Sequence, residues 1–313
     1  MKLQQLRYLR EVARQGLNVS GAATALFTSQ PGISKQIRLL EEELGVDVFV
    51  RNGKRMVAVT EPGKAILALA GRMLQDAENL KGLAREFSDD AEGSLTIATT
   101  HTQARYMLPP VIRAFVKRYP RVRLSLHQGN PVQISEQVIS GNADIAIATE
   151  AIGQYRELVM LPCYQWNRCV VVPPKHPLLR ASPLTLEAIA KYPIVTYDFA
   201  FAGRSQVSQA FAARNLEPNV VLAAIDADVI KTYVELGLGV GILAKMAFDP
   251  KRDAALRAMD ASHLFPSATT RIGLRRGAYL RGFAFTFIEL FAPHLPRKMV
   301  EQAMKGEGTD FEL

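Results

Sequence analysis

The sequence predicts an α/β protein in which a winged helix-turn-helix unit, a long helix and a domain of two lobes follow one another. Three observations lead to this prediction: two short helices around a tight connection, an Asn-Gly turn between β-rich arms, and alternating strands and helices after residue 93. Because 313 residues are too many for a lone helix-turn-helix module, two or three units are expected. We place their boundaries at 1–59, 60–92 and 93–313, with the second lobe at about 166–265.

Composition limits the classes of function open to the chain. A hydrophobic content of 48% and a charged content of 22% indicate a globular protein with a large core, and the net charge of +8 favours an anionic partner. Cys163 and Cys169 fit neither a zinc site nor a disulfide framework, so we expect reduced thiols. The N-terminus lacks the apolar core of a signal peptide. We therefore expect a cytoplasmic protein that does not contact a membrane.

Apolar residues at helical spacing predict three helices before residue 45. Ser29 can cap the third helix, Pro31 lies in its first turn, where a missing N–H costs nothing, and Gly45 ends it. The predicted helices are Leu3–Ala13, Ser20–Thr28 and Gln30–Leu44.

The third helix has one apolar and one polar face. Its apolar residues repeat at helical spacing and are expected in a core: Ile33, Ile37, Leu40 and Leu44. The opposite face is polar and basic, which is what a recognition helix offers to the major groove of DNA. Together with the cap, the predicted DNA-binding residues of this helix are Ser29, Gln30, Ser34, Lys35 and Arg38.

A basic hairpin is predicted directly after the third helix. Two β-rich arms surround Asn52-Gly53 in VDVFVRNGKRMVAVT, and this dipeptide is a strong hairpin signal. We interpret the hairpin as the wing of a winged helix, with Arg51, Lys54 and Arg55 near its tip placed to bind backbone phosphates. The alternative is a solvated charged turn.

A long helix is expected to begin after Thr60 and to run to about Phe87, with Pro62 in its first turn. One apolar stripe follows this helix: Ile66, Leu69, Met73, Ala77, Leu80 and Leu83. Such a stripe between two domains needs a partner, and the same helix of a second copy is the simplest one. The alternative is packing against its own domain. Residues 88–93 have the polar composition of a linker.

Alternating strands and helices after residue 93 predict a mainly parallel sheet, and roughly 200 residues of this pattern fit two lobes. The predicted strands are Leu95–Thr99, Arg123–Gln128, Asp144–Ala148, Cys169–Val172, Ile194–Thr196, Val220–Ala224, Val240–Leu243 and Arg271–Arg275. The predicted helices include Leu108–Arg118, Gln133–Ser140, Ser205–Arg214 and Val229–Leu236.

Polar residues follow the first of these strands, where open α/β folds bind their ligands. Thr100, Thr102 and Gln103 lie between the strand and a helix and are suited to a small anionic or carboxylate-bearing molecule. Thr149 follows the third strand at the same edge, and Arg204 in FAGRS offers a guanidinium from the second lobe. Helix capping by a single threonine is the alternative.

Other motifs give little support to catalysis. Trp166, the only tryptophan, lies in CYQWNRC near a crossing between lobes, where it would line the cleft or pack at a hinge. The glycines of LGLGVG follow a helix and enter a strand, the reverse of a dinucleotide site, so tight packing is expected. His101 has no evident nucleophile partner. We therefore expect a protein that is not an enzyme and has no metal or cofactor.

The order of these parts resembles the LysR-type transcriptional regulators over essentially the whole chain, with residues 22–60 as the most diagnostic stretch. Long runs are similar to the CysB group of that family, which activates sulfur-assimilation and cysteine-biosynthesis genes. These runs include TSQPGISKQIRLLEEELG, IATTHTQARY, PCYQWNRCVVVP and DADVIKTYVELGLGVGI. The resemblance implies a periplasmic-binding-protein-like effector domain for the second half of the chain.

The resemblance also implies an effector, acetylserine or sulfate. Its site would use Thr100, Thr102, Gln103, Thr149 and Trp166, with Ala202 and Arg204 from the second lobe. The group commonly has a threonine where this chain has Ala202, which removes one hydrogen bond worth about 1 kcal/mol. The implied partners are promoter DNA, further copies of the chain in a dimer or tetramer, and RNA polymerase. A sulfonate-responsive regulator of the same group and a solute-binding protein are the alternatives.

Overall fold

The computed structural model describes residues 1–53, 55–86, 92–149, 155–197 and 206–306. The chain divides into two compact units at about residue 90. None of the described helices combines the length and the hydrophobicity needed to cross a membrane.

The first unit has the element order of a winged helix followed by a long helix. Its elements are α1 (Leu3–Arg14), α2 (Val19–Ala25), α3 (Gln30–Leu44), β1 (Phe49–Asn52), β2 (Arg55–Val59) and α4 (Glu61–Glu86). The predicted second helix, Ser20–Thr28, is wrong at its end, since α2 stops at Ala25. The reason is that Phe27 has a positive φ of 51°, which an α-helix does not accommodate.

The ends of α3 lie where the sequence predicts them. Ser29 Oγ accepts a hydrogen bond from the Gly32 N–H (3.3 Å) and so satisfies a donor of the first turn. Gly45 ends the helix with a φ of 71°, a left-handed conformation that glycine adopts without steric cost.

The core of the first unit forms where α1, α2, α3 and the first half of α4 meet. Ile33, Ile37 and Leu40 are completely buried in it, as predicted. Leu44, expected in the same core, is 40% exposed. It is the last residue of α3, so the chain turns away at Gly45 before Leu44 can be covered.

The predicted hairpin is confirmed. β1 and β2 pair antiparallel from Phe49 with Val59 to Asn52 with Arg55. Gly53 begins the turn with a φ of 60°, the positive φ that two-residue hairpin turns require and that glycine adopts without steric cost. Lys54 lies outside the described residues.

The long helix α4 begins as predicted, but its apolar stripe is not buried in the way that the sequence predicts. Thr60 Oγ1 accepts a hydrogen bond from the Gly63 N–H (2.9 Å) and caps the helix. Ala70 and Leu74 are the α4 residues buried in the core of the first unit, beside α1.

The predicted stripe therefore divides between two environments. Ile66 and Met73 pack against the core of the first unit, which fits the alternative of packing within its own domain. Leu69 and Leu80 are 50% and 72% exposed. Nothing is described of the Leu83 side chain, which belongs to the last part of the helix.

The second unit contains two five-stranded sheets with helices between their strands. The strands are β3 (Gly93–Thr99), β4 (Val122–Gln128), β5 (Ile145–Ala148), β6 (Leu158–Trp166), β7 (Arg168–Val172), β8 (Ile194–Tyr197), β9 (Val220–Ala224), β10 (Val240–Ala244), β11 (Arg257–Asp260) and β12 (Ala268–Arg275). The α-helices are α5 (Leu108–Arg118), α6 (Pro131–Ile139), α7 (Leu186–Ile189), α8 (Gln206–Ala212), α9 (Ala227–Glu235), α10 (Gly282–Phe291) and α11 (Arg297–Lys305).

Both sheets are mixed, so the prediction of mainly parallel sheet is only half correct. The first sheet has the order β4-β3-β5-β12-β6, and the second has β11-β7-β10-β8-β9. β4, β3 and β5 are parallel to one another, as are β10, β8 and β9. The antiparallel strands are β7, with which the chain enters the second sheet, and β12, with which it returns to the first.

Two strands, β6 and β11, are not predicted from the sequence. β6 contains Pro162, and a proline within an apolar run argues against a central strand. In the structure β6 is an edge strand, and the register of β12 shifts between Thr270 and Arg271, where Arg271 faces Pro162. The proline thus occupies the kind of position that a sheet tolerates.

Two of the three glycines of LGLGVG allow close packing, as predicted, whereas Gly237 has a positive φ of 83° and open space around it. A Cβ on Gly239 would lie 2.2 Å from the carbonyl oxygen of Pro193. A Cβ on Gly241 would lie 2.5 Å from Val171 Cγ2. Both glycines therefore let this part of the chain approach its neighbours closely.

Cys163 and Cys169 are buried and free, in agreement with the expectation of reduced thiols. Burial raises the pKa of each thiol to about 12. Since the thiolate is the nucleophilic form, neither cysteine is reactive at neutral pH.

Candidate functional site

The polar face of α3 is the first candidate site. Gln30, Lys35 and Arg38 are exposed and Ser34 is half-buried. Ser20 Oγ donates a hydrogen bond to Gln30 Oε1 (3.3 Å), which ties α2 to the first turn of α3. The partial positive charge of the helix N-terminus adds to the basic side chains, so this face suits a polyanion.

Arg51 differs from the other basic residues near the wing. It is hydrogen-bonded to the buried carboxylate of Glu41 and lies 3.6 Å from Asp47. Glu41 also accepts hydrogen bonds from the Val48 and Phe49 N–H groups (2.8 and 3.2 Å), so the pair fixes the start of the wing. The charge of Arg51 is thus already compensated within the unit. Arg55 on β2 is exposed.

The second candidate site lies at the carboxyl end of β3. A helical stretch begins directly after this strand and includes a π-helical turn at Gln103–Met107. The Thr100 carbonyl accepts a hydrogen bond from the Ala104 N–H (3.0 Å), and the Thr100 N–H donates to the Ile147 carbonyl at the end of β5 (3.4 Å). This edge therefore presents the first N–H groups of a helix, which lack partners within the helix.

Three of the predicted residues, Gln103, Thr149 and Trp166, join one chain of hydrogen bonds. Trp166 Nε1 donates to Thr149 Oγ1 (3.4 Å), and Thr149 Oγ1 lies 3.5 Å from Thr270 Oγ1. Gln103 Nε2 donates to the same Thr270 hydroxyl (3.1 Å), while Tyr164 Oη donates to Gln103 Oε1. Gln103 is therefore a buried residue that positions the others.

Thr102 faces the second lobe. Its hydroxyl lies 3.4 Å from Tyr197 Oη at the end of β8, and Tyr197 Oη also accepts a hydrogen bond from the Ala244 N–H (3.3 Å). Burial raises the pKa of Tyr197, so its hydroxyl stays protonated. Thr102 of the first lobe thus contacts Tyr197 of the second lobe. Ala202 and Arg204 lie outside the described residues.

The crossing between the lobes is short. Only Asn167 separates β6 from β7. On either side of it, the Arg168 guanidinium lies 5.2 Å from the centroid of the Trp166 ring. Arg168 is buried and its Nη1 donates to Gln206 Oε1 (2.9 Å) and to the Pro266 carbonyl (3.2 Å). The tryptophan therefore lies at the crossing between the lobes, and both expectations for it, lining the cleft or packing at a hinge, stay predictions.

A second connection between the lobes is ionic. Tyr106 Oη donates to Asp228 Oδ1 (2.5 Å), and Lys231 Nζ donates to Tyr106 Oη (3.1 Å). Lys231 is buried and lies 2.8 Å from Asp253 and 3.0 Å from Asp228. Arg105 Nε lies 3.3 Å from Asp228 Oδ2. This cluster joins the π-helical turn of the first lobe to α9 of the second.

The charges of this cluster are held by its hydrogen bonds. Burial opposes the ionisation of Asp228, but hydrogen bonds from Tyr106 and Lys231 outweigh it and lower the pKa of Asp228. Burial likewise opposes the charge of Lys231, and its hydrogen bond to Asp253 is the main reason that the pKa of Lys231 is raised. Burial raises the pKa of Tyr106 to about 12. At neutral pH Asp228 is therefore a carboxylate and Lys231 an ammonium group.

A metal site in the same region has little support. His101, Asp226 and Asp228 each have a potential ligand atom, and these atoms lie within 4.8 Å of one another. His101 Nε2 lies 3.0 Å from Asp226 Oδ2, however, and Asp228 already binds Tyr106, Arg105 and Lys231. Contacts within the protein account for this arrangement.

The model of the bacterial regulatory helix-turn-helix proteins of the lysR family matches residues 3–64, and the model of the LysR substrate binding domain matches residues 88–296. The chain belongs to the LysR family of transcriptional regulators. Membership confirms the predicted helix-turn-helix and two-lobed domain, and a regulatory helix-turn-helix argues against a solute-binding protein.

Full-length relatives indicate to which group of the LysR family the chain belongs. The regulator CysB of Burkholderia cenocepacia is 56% identical over 313 residues, which is 100% of both chains. The regulator SsuR of the same organism is 57% identical over 295 residues, 94% of this chain and 96% of the relative. The crystal structure of the cofactor-binding domain of Cbl superposes with a TM-score of 0.66 at 45% identity, covering 69% of this chain and 95% of that one. This LysR-type protein is a regulator of the sulfur-assimilation group.

Proposed function

We propose that this LysR-type regulator reads promoter DNA with α3 and responds to a small sulfur metabolite that binds at the carboxyl end of β3. The observation that carries the first half is the accessible polar face of α3, with Gln30, Lys35 and Arg38 exposed. Ser29 and Ser34 complete the surface that would enter the major groove.

The basic residues of the wing are proposed to have two different roles. Arg55 is exposed and, with Lys54, is proposed to bind backbone phosphates. Arg51 is held by Glu41, so we assign it a positioning role, with phosphate contact secondary. Both roles depend on the wing lying beside the groove when α3 is bound.

The effector site is proposed from hydroxyl and amide donors around a helix start. Thr100, Thr102, Thr149 and Trp166 offer hydrogen bonds without adding charge, and the helix N-terminus favours a sulfate or carboxylate group. Gln103 would orient Thr149 through their shared partner Thr270. Acetylserine or sulfate is the proposed effector, and Ala202 and Arg204 are proposed as further contacts.

A sulfonate-responsive regulator is the second candidate, because SsuR is as similar to this chain as CysB is. The two candidates share the same DNA-binding unit and differ in the effector. The missing hydroxyl at Ala202 bears on this choice, since it changes the number of hydrogen bonds available to an anion.

The remaining partners are proposed from exposed apolar residues and from the resemblance to the family. Leu69 and Leu80 are exposed on α4 and would pair with a second copy of the helix. We propose a homodimer through α4, with a tetramer as its larger form, that recruits RNA polymerase to the promoter in the cytoplasm. Catalysis has no part in this proposal.

Footprinting on a sulfur-assimilation promoter tests both halves. The protected region is expected without effector and is expected to change in extent when acetylserine is added. Sulfate and an alkanesulfonate, added separately, distinguish the two effector candidates. Absence of protection under every condition would contradict the proposal that the protein regulates sulfur-assimilation genes. An unchanged footprint would contradict the proposed effector.

A further inference from the structure

Phe27 is the most exposed large apolar residue of the described chain, with 97% of its surface accessible. It lies in the turn between α2 and α3, two residues before the Ser29 cap of the recognition helix. Single exposed apolar residues are common in soluble proteins and need no explanation. The backbone of Phe27, in contrast, does need one.

The chain leaves α2 through a turn that favours glycine. The Phe27 N–H donates to the Thr24 carbonyl (3.2 Å), and the Thr28 N–H donates to the Ala23 carbonyl (2.9 Å). This pair of hydrogen bonds is the Schellman motif, in which the residue after the helix is left-handed and is usually Gly or Asn. Phe27 takes this place with a φ of 51°, although its Cβ is disfavoured there.

Other left-handed residues of the chain have a visible reason for their conformation. Leu17 has a φ of 68°, but its side chain packs against the core of the first unit. Asn215 has a φ of 54°, and asparagine tolerates this region better than other residues with a Cβ. Phe27 gains neither burial nor a favourable residue type. A strained residue without structural benefit points to a function.

We propose that the Phe27 ring is a DNA contact that packs against the C5-methyl group of a thymine in the major groove. This inference rests on the proposed role of α3 as the recognition helix. The N-terminal residues of such a helix lie closest to the base edges, and Phe27 precedes them directly. Thymine is the base that presents a methyl group in this groove, and apolar side chains read it by contact.

The test uses variants whose side chains fit the turn. Phe27→Asn and Phe27→Gly both suit the left-handed backbone, so neither should lower the thermal stability of the protein. The probe is a duplex selected from random sequence by the wild-type chain, and the dissociation constant is measured by fluorescence anisotropy. Both variants are expected to bind about tenfold more weakly than the wild type.

Removing thymine methyl groups identifies the contact. Each thymine of the selected duplex is replaced in turn by deoxyuridine, which lacks only the C5-methyl. At one position in each half-site, the wild type should lose about threefold to fivefold in affinity. The Phe27→Asn variant should show no further loss at that position, because the methyl group has lost its partner.

A matched control is Leu236→Asn, which removes a large and 71% exposed apolar side chain from the second unit. Its affinity for the duplex should equal that of the wild type. Two results would overturn the inference: wild-type affinity in Phe27→Asn, or deoxyuridine losses that add to the loss in the variant. Wild-type affinity together with reduced transcription in vitro would assign the ring to a protein partner instead. If the wild type selects no duplex, the proposed function falls as well.

Discussion

The polar face of α3, proposed to read DNA, and the proposed effector site at the carboxyl end of β3 use their polar side chains in opposite ways. On α3, Lys35 and Arg38 extend into solvent, while the apolar residues on the opposite face of the helix pack in the core. In the cleft, Gln103 and Thr149 are already bound to other residues of the protein. A ligand of the cleft must therefore replace or extend existing hydrogen bonds, whereas DNA meets side chains that are ready to bind.

This contrast predicts that removal of a buried charge between the lobes acts on folding, whereas a change on the exposed face of α3 acts on binding. The largest effect is expected from Lys231→Met. Removal of the buried ammonium leaves the Asp253 carboxylate and part of the Asp228 charge uncompensated, so the second unit should lose about 3–5 kcal/mol of stability.

Chemical denaturation followed by circular dichroism measures the loss. The matched control is Lys245→Met, because the ion pair of Lys245 with Asp260 is exposed and is worth about 0–1 kcal/mol. Equal stability of the two variants would show that the buried cluster does not hold the lobes.

Arg38→Ala should show the reverse behaviour. The side chain is exposed, so the melting temperature should stay at its wild-type value, while specific binding weakens by about 1–3 kcal/mol if Arg38 contacts a base. Competition gel shifts with specific and nonspecific duplexes measure this change. Lys298→Ala, which removes one exposed positive charge from the second unit, is the control for net charge. A loss of the same size in that variant would refute a base contact.

Thr102→Ala should have a smaller effect and should leave basal DNA binding intact. The variant removes one hydroxyl between the lobes, worth about 1 kcal/mol, which corresponds to a roughly fivefold weaker response to acetylserine. Isothermal titration with acetylserine measures the affinity for the effector, and a footprint without effector measures basal DNA binding. A normal titration would relocate the effector site away from Thr102.

Asp228 gives the smallest expected effect, and it depends on pH. The folded pKa of Asp228 is lowered, so its contribution to stability is present above the unfolded pKa of about 3.9 and is lost as the pH falls through the lower folded value. The difference in stability between wild type and Asp228→Asn should therefore be constant near neutral pH and shrink on acidification below about 4. A difference that grows on acidification would contradict the assigned direction.

The same contrast explains which features could be predicted from the sequence. Ser29, the face of α3 and the Asn52 hairpin depend on residues within a few positions of one another, so local patterns are sufficient. The Gln103–Thr270 hydrogen bond joins residues 167 positions apart and depends on β12, whose antiparallel place in the sheet no local pattern indicates.

The ionic cluster was missed for a similar reason. Tyr106 and Lys231 lie on different lobes, and neither has a neighbour in sequence that suggests the other. Their contact follows from the close approach of α9 to the π-helical turn. The polar residues at the carboxyl end of β3 were predictable because strand ends are a general place for ligands, but their partners Tyr164 and Thr270 were not.

Asn167, the single residue between β6 and β7, has a mechanical consequence. Its carbonyl is held by the Lys245 N–H (2.9 Å), so the crossing has little freedom to lengthen. Trp166 and Thr149 lie beside this pivot. We therefore expect a molecule bound at the proposed site to act close to this pivot, where a displacement of a fraction of an ångström becomes a larger movement at the far ends of the lobes.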